Sequence, residues 1–319
     1  MNKSAIPLEV RRHKLVASVR NQLHENVLVG ISGGADSTAL LLLCCAVSLQ
    51  QSSTLNVIAG HINHGIRSES DAEQRMVETL CKKLGVVCIS KKITVTPIDG
   101  SLGAGARKGR YDALTTIATQ MKLTQIAVAH HATDQLETML MALCRGGGPH
   151  KLAGMVTKRA LTDDISLVRP LLHADQSELI HICNISGVSW CNDPTNSDPN
   201  TPRGKLRLEV LPKLRELWPA ADRHAANASV MLQAAANALD AKAMLYEKDT
   251  SWNRKTLAVV PQEIVATLMH KAVGNKTSFE TVQSIAAAIT DSSTEPREFD
   301  CGAGCIVRVT ANEVCVVQP

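Results

Sequence analysis

The stretch Val27-Leu28-Val29-Gly30-Ile31-Ser32-Gly33-Gly34-Ala35-Asp36-Ser37 joins a short apolar run to the continuous apolar segment Ala39–Val47 through a pair of glycines. Val27 to Ile31 reads as a buried strand and Ser37 to Leu49 as a helix. Gly33 and Gly34 let the backbone between them turn tightly and approach an anion closely. The free N–H groups and the dipole at the helix start favour a phosphate there. Ser32 and Ser37 can add hydroxyl donors, with Ala35 contributing backbone. Asp36 would repel a phosphate unless a divalent cation bridged the two, so it implies Mg²⁺. The stretch lacks the Gly-Lys-Ser/Thr of a Walker loop and the G-x-G-x-x-G of a dinucleotide site. The plainer alternative is a strand-to-helix turn in which Ser32 or Asp36 caps the helix.

Working outward, strands and helices alternate. Leu8–Leu23 has the spacing of one amphipathic helix before the first strand. After the loop come a strand at Leu55–Ile62, a helix at Asp71–Leu84, a strand at Val86–Ser90, a helix at Ala104–Met121, a strand at Ile126–Ala129 and a helix at Asp134–Leu143. This predicts an α/β fold, a doubly wound, Rossmann-like parallel sheet with helices on both faces. Ligands of such sheets lie beyond the carboxyl ends of the strands, which directs attention to the residues after Ile31, Ile62 and Ala129. Asp193-Pro194-Thr195-Asn196-Ser197-Asp198-Pro199 reads as a turn-rich loop. A first domain over 1–215 is expected, followed by a smaller, mainly helical one over 216–319, with helices over Ala220–Leu245 and near Glu263 and Thr281. A hairpin around Ala311-Asn312 closes the chain.

The chain has 319 residues, 45% of them hydrophobic and 20% charged, the balance of a folded globular protein and not of a disordered one. Two Tyr, two Phe and three Trp leave little surface for stacking bases, so any nucleic-acid binding must use charge, shape and hydrogen bonds. A net charge of +4 permits a phosphate-bearing partner without requiring one. The ten cysteines contain no C-x-x-C pair and read as reduced, mostly buried thiols. Neither a secretory signal nor a run long enough to span a membrane is evident, so a cytoplasmic location without membrane association is expected.

Four further clusters bear on chemistry. His61-Ile62-Asn63-His64-Gly65-Ile66-Arg67 stands at a strand end, where it could face a nucleotide, hold a metal or be a self-satisfied polar loop. Arg107 and Arg110 share a helix face suited either to phosphates or to solvent. In His130-His131-Ala132-Thr133-Asp134-Gln135-Leu136-Glu137-Thr138, Asp134 and Glu137 share a face that could hold a cationic substrate or a metal, or merely complement the helix dipole. The basic run Arg203-Gly204-Lys205-Leu206-Arg207 through Arg215 fits an RNA-facing helix or a solvated one.

Taken in order, these motifs resemble those of the tRNA(Ile)-lysidine synthases within the N-type ATP pyrophosphatases: S-G-G-x-D-S, H-x-N-H-G-L-R, R-x-x-R-Y and G-H-x-x-D-D-Q-A-E-T. Arg145-Gly146-Gly147-Gly148, Arg169-Pro170-Leu171-Leu172, Trp190 with Asp193-Pro194-Thr195-Asn196, and R-N-x-I-R extend the likeness over Asn26–Leu214. Ala129, Thr133 and Gly204 depart from the family's Gly, Asp and Asn. The resemblance implies ATP bound by Ser32, Gly33, Gly34, Ala35, Asp36, Ser37, His61 and Asn63, with Mg²⁺ at Asp36. It implies free L-lysine recognised by His130, Asp134 and Glu137, and tRNA contacted by Arg107, Arg203, Lys205 and Arg207. Asp36, Arg110, His130, Asp134 and Glu137 would then be the catalytic set, and the partner a tRNA(Ile) with a CAU anticodon. The oligomeric state stays open, a homodimer included.

Overall fold

The computed structural model describes residues 6–50, 53–65, 70–98, 100–191, 198–247, 250–274 and 277–317. Ile66 and Arg67 of the histidine-rich run, and Asp193-Pro194-Thr195-Asn196 of the turn-rich loop, lie outside the described residues. The chain separates into two compact units, Met1–Glu137 with Met155–Asn227, and Thr138–Gly154 with Ala228–Pro319.

In chain order the first part comprises α1 (Leu8–Arg11), α2 (Leu15–Gln22), β1 (Asn26–Gly30), α3 (Ala35–Ser48), β2 (Asn56–Asn63), α4 (Ser70–Leu84), β3 (Val87–Lys92), α5 (Leu102–Gln120), β4 (Gln125–Ala127), α6 (Ala132–Cys144) and α7 (Pro149–Leu152). Then follow β5 (Lys158–Ala160), β6 (Ser166–Val168), α8 (Gln176–Ile185), α9 (Pro202–Lys205), a π-helical turn (Leu206–Val210), α10 (Leu211–Leu217) and α11 (Ala221–Met244). The first six strands form one sheet in the order β3-β2-β1-β4-β6-β5. β1 pairs in parallel with both β2 and β4, so it sits where the winding reverses, and the crevice above its carboxyl end is the site such a sheet offers a ligand. One face is covered by α2, α3, α4 and α8 through Val19, Leu40, Leu43, Val77, Cys81, Leu179 and Ile182. The other is covered by α5 through Leu114, Ile117 and Ala118. Helix α3 is buried without a break from Ser37 to Val47, which is why its sequence is apolar all round.

The expected doubly wound sheet is present, with three corrections. The sheet is not wholly parallel: β5 runs antiparallel on its edge, joined to β6 by a turn at Thr162–Asp164. Both strands have three residues, too few to show a period of two. The single amphipathic helix expected over Leu8–Leu23 is broken, because the His13 ring accepts the Leu15 N–H at 3.3 Å and starts a second helix. The terminal hairpin, β9 (Ile306–Val309) with β10 (Glu313–Val317), belongs to a four-stranded antiparallel sheet with β7 (Ser251–Asn253) and β8 (Arg297–Asp300). The strands flanking the hairpin are short or polar and carry little alternation of their own.

That sheet packs with α12 (Arg254–Ala258), α13 (Gln262–Val273) and α14 (Phe279–Thr290) around Trp252, Leu257, Met269, Ile285, Val307 and Val314. Arg254 is its polar centre. Its buried guanidinium donates to the carbonyls of Ala288, Ile289, Asp291, Ser293 and Thr310 at 2.6–3.1 Å and to Asp291 Oδ1 at 3.0 Å. It thereby caps the last carbonyls of α14 with a cation at the negative end of the helix dipole. Arg254→Met leaves these acceptors unsatisfied and is expected to destabilise this unit by ~3–5 kcal/mol, the scale for removing one partner of a buried charge network. Denaturant unfolding of the full chain checks this, and a loss under ~1 kcal/mol would contradict the capping role.

Candidate active site

The loop after β1 has the geometry its glycines suggest. Gly33 stands at φ +94°, a left-handed conformation, with space for a Cβ limited by Val77 Cγ2 at 3.3 Å. Gly34 occupies the N-cap of α3, and no side chain among the described residues caps the helix, which leaves its first N–H groups available to an anion. The hydroxyls of Ser32 and Ser37, expected to meet phosphate, brace the loop itself. Ser37 Oγ accepts the Ser32 N–H at 3.1 Å and donates to the Gly34 carbonyl at 3.1 Å, and the two hydroxyls lie 3.1 Å apart. The Cys191 N–H holds the Gly33 carbonyl at 2.9 Å from outside the loop.

Beyond β4 the chain enters α6 with its first turn buried, including Thr133, Asp134, Gln135 and Glu137. Glu137 has no exposed surface, and its carboxylate takes two cations: Arg203 Nε at 2.8 Å, and Arg207, whose Nε bonds one oxygen while Nη2 reaches the other at 3.2 Å. Arg207 Nη2 also bonds Asp134 Oδ1 at 2.9 Å. The structure therefore brings together the two carboxylates read as amine-binding and two of the arginines read as RNA-binding, each set neutralising the other. Gly204, between these arginines, is required: a Cβ there would lie 1.8 Å from the Asp198 carbonyl oxygen, where Thr201 caps α9. Thr133, in place of an acid, accepts from Arg215 Nη2 at 3.1 Å, and Arg215 also holds Asp222 through two bonds.

His131 links the loop to α6. Its Nε2 lies 3.4 Å from Asp36 Oδ2 and 3.6 Å from Asp134 Oδ2. Burial opposes a charge on this ring, yet Asp134 and Asp36 outweigh it and raise the pKa. Burial likewise works against a charge on Asp134, but His131, His130 and Arg207 hold its carboxyl below the usual range. His130 behaves oppositely: burial, reinforced by Arg169, Arg107 and Arg203 against the pull of Asp134, pushes it down to about 3. Arg169 Nε donates to His130 Nδ1 at 3.2 Å, so the neutral ring carries its proton on Nε2.

At the carboxyl end of β2, His61 is buried with Nδ1 2.9 Å from the Ile31 carbonyl, which ties the second strand to the base of the loop. Buried Asn63 donates to Asp71 and Gln74 at 2.9 and 3.1 Å and accepts the Gly65 N–H at 2.9 Å. Both side chains are engaged in shaping the crevice. Arg107 and Arg110 are exposed on α5, and Lys205 is exposed on α9.

Comparison with known proteins bears on this geometry. The PP-loop domain family matches residues 7–214, about two thirds of the chain. The chain belongs to the PP-loop family. It is 36% identical over 214 residues to a tRNA(Ile)-lysidine synthase of Histophilus somni, covering 65% of this chain and 49% of that one. It is 36% identical over 198 residues to the tRNA(Ile)-lysidine synthase of Bacillus subtilis, covering 60% of this chain and 41% of that one. The chain thus spans about half the length of the curated relatives it matches. Among solved structures, a U34-tRNA thiolase from Methanococcus maripaludis superposes with a TM-score of 0.56 at 16% identity, over 69% of this chain and 78% of that one. At that identity it shows a shared fold.

The PP loop fits a divalent cation in one respect visible here. Asp36 Oδ1 is buried at the loop without a hydrogen-bond partner among the described residues, an orphaned acceptor of the kind a cation satisfies. No cluster of three or more His, Cys, Asp or Glu side chains suited to a metal occurs among the described residues. Magnesium at a PP loop would therefore take its remaining ligands from phosphate oxygens and water, as this ion commonly does. Two residues of the site were not singled out by sequence reading. His131 is the second member of a histidine doublet, and only the fold shows which of the two turns inward between the acids. Arg169 lies in a motif read as resemblance alone, and its bond to His130 spans 39 positions.

Two outcomes follow for this PP-loop protein. In a double-mutant cycle of Glu137→Gln and Arg207→Met, denaturant unfolding should show a coupling of about 1–3 kcal/mol, and a coupling under ~0.5 kcal/mol would mean the pair is not formed in solution. For His130, a folded pKa below the unfolded value means the unfolded chain binds the extra proton. Stability is therefore lost as pH falls from about 6.5 toward about 3. The imidazole NMR signals of His130 should stay flat from pH 8 to 5, and a titration step near 6.5 would contradict the burial argument.

Proposed function

We propose that this protein is an ATP-dependent tRNA ligase that joins lysine to C2 of the wobble cytidine of a tRNA(Ile) with a CAU anticodon. The products are lysidine, AMP and pyrophosphate, and the modified base reads AUA in place of AUG. The observation that carries this reading is the alignment of the phosphate loop with a buried acid pair through one histidine, His131, 3.4 Å from Asp36 and 3.6 Å from Asp134. A nucleotide phosphate and an amine bound at these two places would meet across a few ångströms, and positioning of that kind supplies much of the acceleration of a group transfer. Similarity to proteins named tRNA(Ile)-lysidine synthase over residues shared with the PP-loop domain supports the same substrates.

In this reading the cytidine C2 oxygen attacks the α-phosphate of ATP and pyrophosphate leaves, while the uncapped N–H groups of α3 and Arg110 stabilise the charge on phosphate oxygens. Magnesium at Asp36 would offset the repulsion between that carboxylate and the phosphates. The lysine side-chain amine, once deprotonated, then attacks C2 of the adenylated base and AMP departs with the former C2 oxygen. His130, with Nδ1 occupied by Arg169, acts as a donor that orients a substrate and not as the base. Asp134 and Glu137 recognise the cationic substrate, which requires Arg207 to withdraw from them first. Arg107, Arg203, Lys205 and Arg207 face RNA in the same scheme. RNA phosphates and Glu137 would thus compete for Arg203 and Arg207, so that docking of tRNA frees the acids for lysine. The C-terminal unit reads the body of the tRNA, through backbone contacts that weaken steeply with salt.

Incubation of the full chain with the tRNA, ATP and labelled lysine, followed by mass analysis of the wobble nucleoside, tests the reaction. The expected product is lysidine, and a thiolated or unmodified base would overturn the assignment. Asp36→Ala is expected to abolish pyrophosphate release while leaving tRNA affinity within about twofold, since it removes a phosphate-side carboxylate and no RNA contact. Retained turnover would remove the metal role given to Asp36.

A further inference from the structure

Tyr111 of α5 collects cations. Arg107, one turn earlier on the same helix, places its guanidinium carbon 5.3 Å from the ring centroid. Arg159, from the edge strand β5, places its own at 5.5 Å. Contacts at this distance are attractive and hold a guanidinium plane in place. Arg159 also donates from Nη1 to the Ala160 carbonyl at 3.4 Å, near the long limit of a hydrogen bond, which an anion can displace. Both arginines are exposed, and neither has a carboxylate partner among the described residues. The adjacent Lys108 differs, being paired with Asp112 at 2.6 Å. Lys158, next to Arg159, is exposed as well.

The cluster continues inward. Arg169 is buried; burial, then Arg159 and Arg107, work to lower its pKa, and Tyr111 works to raise it. Arg169 Nη1 donates to the Val156 carbonyl at 2.6 Å, just before β5, while its Nε holds His130. Like charges gathered around one ring without counter-charges repel one another unless an anion joins them. Arginine forks match phosphate oxygens bidentately. β5 is also the outer edge of the sheet, paired among the described residues with β6 alone, so Arg159 is carried on an edge strand.

We propose that Arg159 and Tyr111, together with Arg107, form a phosphodiester-binding platform on the β5 edge that receives the RNA strand flanking the base held near His130. This rests on the RNA-modifying reading above. Tyr111 is the organising residue: it sets both forks before the RNA arrives. Arg169 connects the platform to His130 and so places the bound backbone next to the reacting base.

The test measures binding of a CAU-anticodon tRNA transcript to the full chain as a function of salt, for the wild type, Arg159→Ala and Tyr111→Leu, with ATP affinity measured separately. Arg159→Ala should weaken tRNA binding about tenfold and flatten the dependence of log affinity on log salt by about one unit, the signature of one lost phosphate contact. ATP affinity should not change. Arg159 is exposed on an edge strand, and its thermal unfolding should match the wild type. Tyr111→Leu, which keeps both charges but frees the forks, should weaken tRNA binding while leaving the salt slope near that of the wild type. If Arg159→Ala binds tRNA with unchanged affinity and slope, or weakens ATP instead, the platform is wrong and the ligase reading stands. If the wild type binds no tRNA, both fall.

Discussion

Glu137 has no exposed surface, and a carboxylate in that position requires cations beside it, because burying it alone would cost several kcal/mol. Arg203 and Arg207 meet that requirement from a segment about seventy positions further along the chain. Their attachment draws α9 and the π-helical turn over the first turn of α6. Thr133 and Arg215 add a second tie, between α6 and α10. Charge thus fastens these elements to α6, while a hydroxyl network braces the glycine loop.

This arrangement has a chemical consequence. In the proposed reading, a pocket for a cationic substrate carries an internal cation when the substrate is absent, since buried acids must be neutralised in either state. Arg207 does for Asp134 and Glu137 what an ammonium group would do. Exchange between the two replaces one ion pair by another, so the change in free energy is far smaller than the energy of either pair alone. His130 and His131 stand side by side in sequence, yet their pKa values shift in opposite directions: burial, aided by nearby arginines, lowers the first, whereas Asp134 and Asp36 outweigh burial at the second.

Much of the fold was legible in the residues. The alternation of apolar strands with helices marked the sheet's first four strands, and Gly33 with Gly34 marked the turn after the first of them. What escaped were elements whose pairing partner supplies their reason to exist: β5 and β6, three residues each, and the flanking strands β7 and β8. Arg254 gave no signal, since a lone basic residue after Trp252-Asn253 looks solvated until five carbonyls converge on it. Within the site, Asp36, Asp134 and Glu137 could be picked out by type and spacing. The use of Ser32, Ser37, His61 and Asn63 as braces could not, because a hydroxyl or amide beside a predicted phosphate site fits both a ligand contact and a scaffold.

By itself the sequence determined the longer helices and strands and the candidate groups for chemistry, since backbone freedom, apolar periodicity and residue chemistry are properties of neighbours along the chain. Only the tertiary structure decided which charge meets which. The partners Glu137 and Arg207, His130 and Arg169, and Tyr111 and Arg159 are 39 to 70 positions apart. An ion pair or a ring contact depends on separations of a few ångströms that local pattern cannot specify.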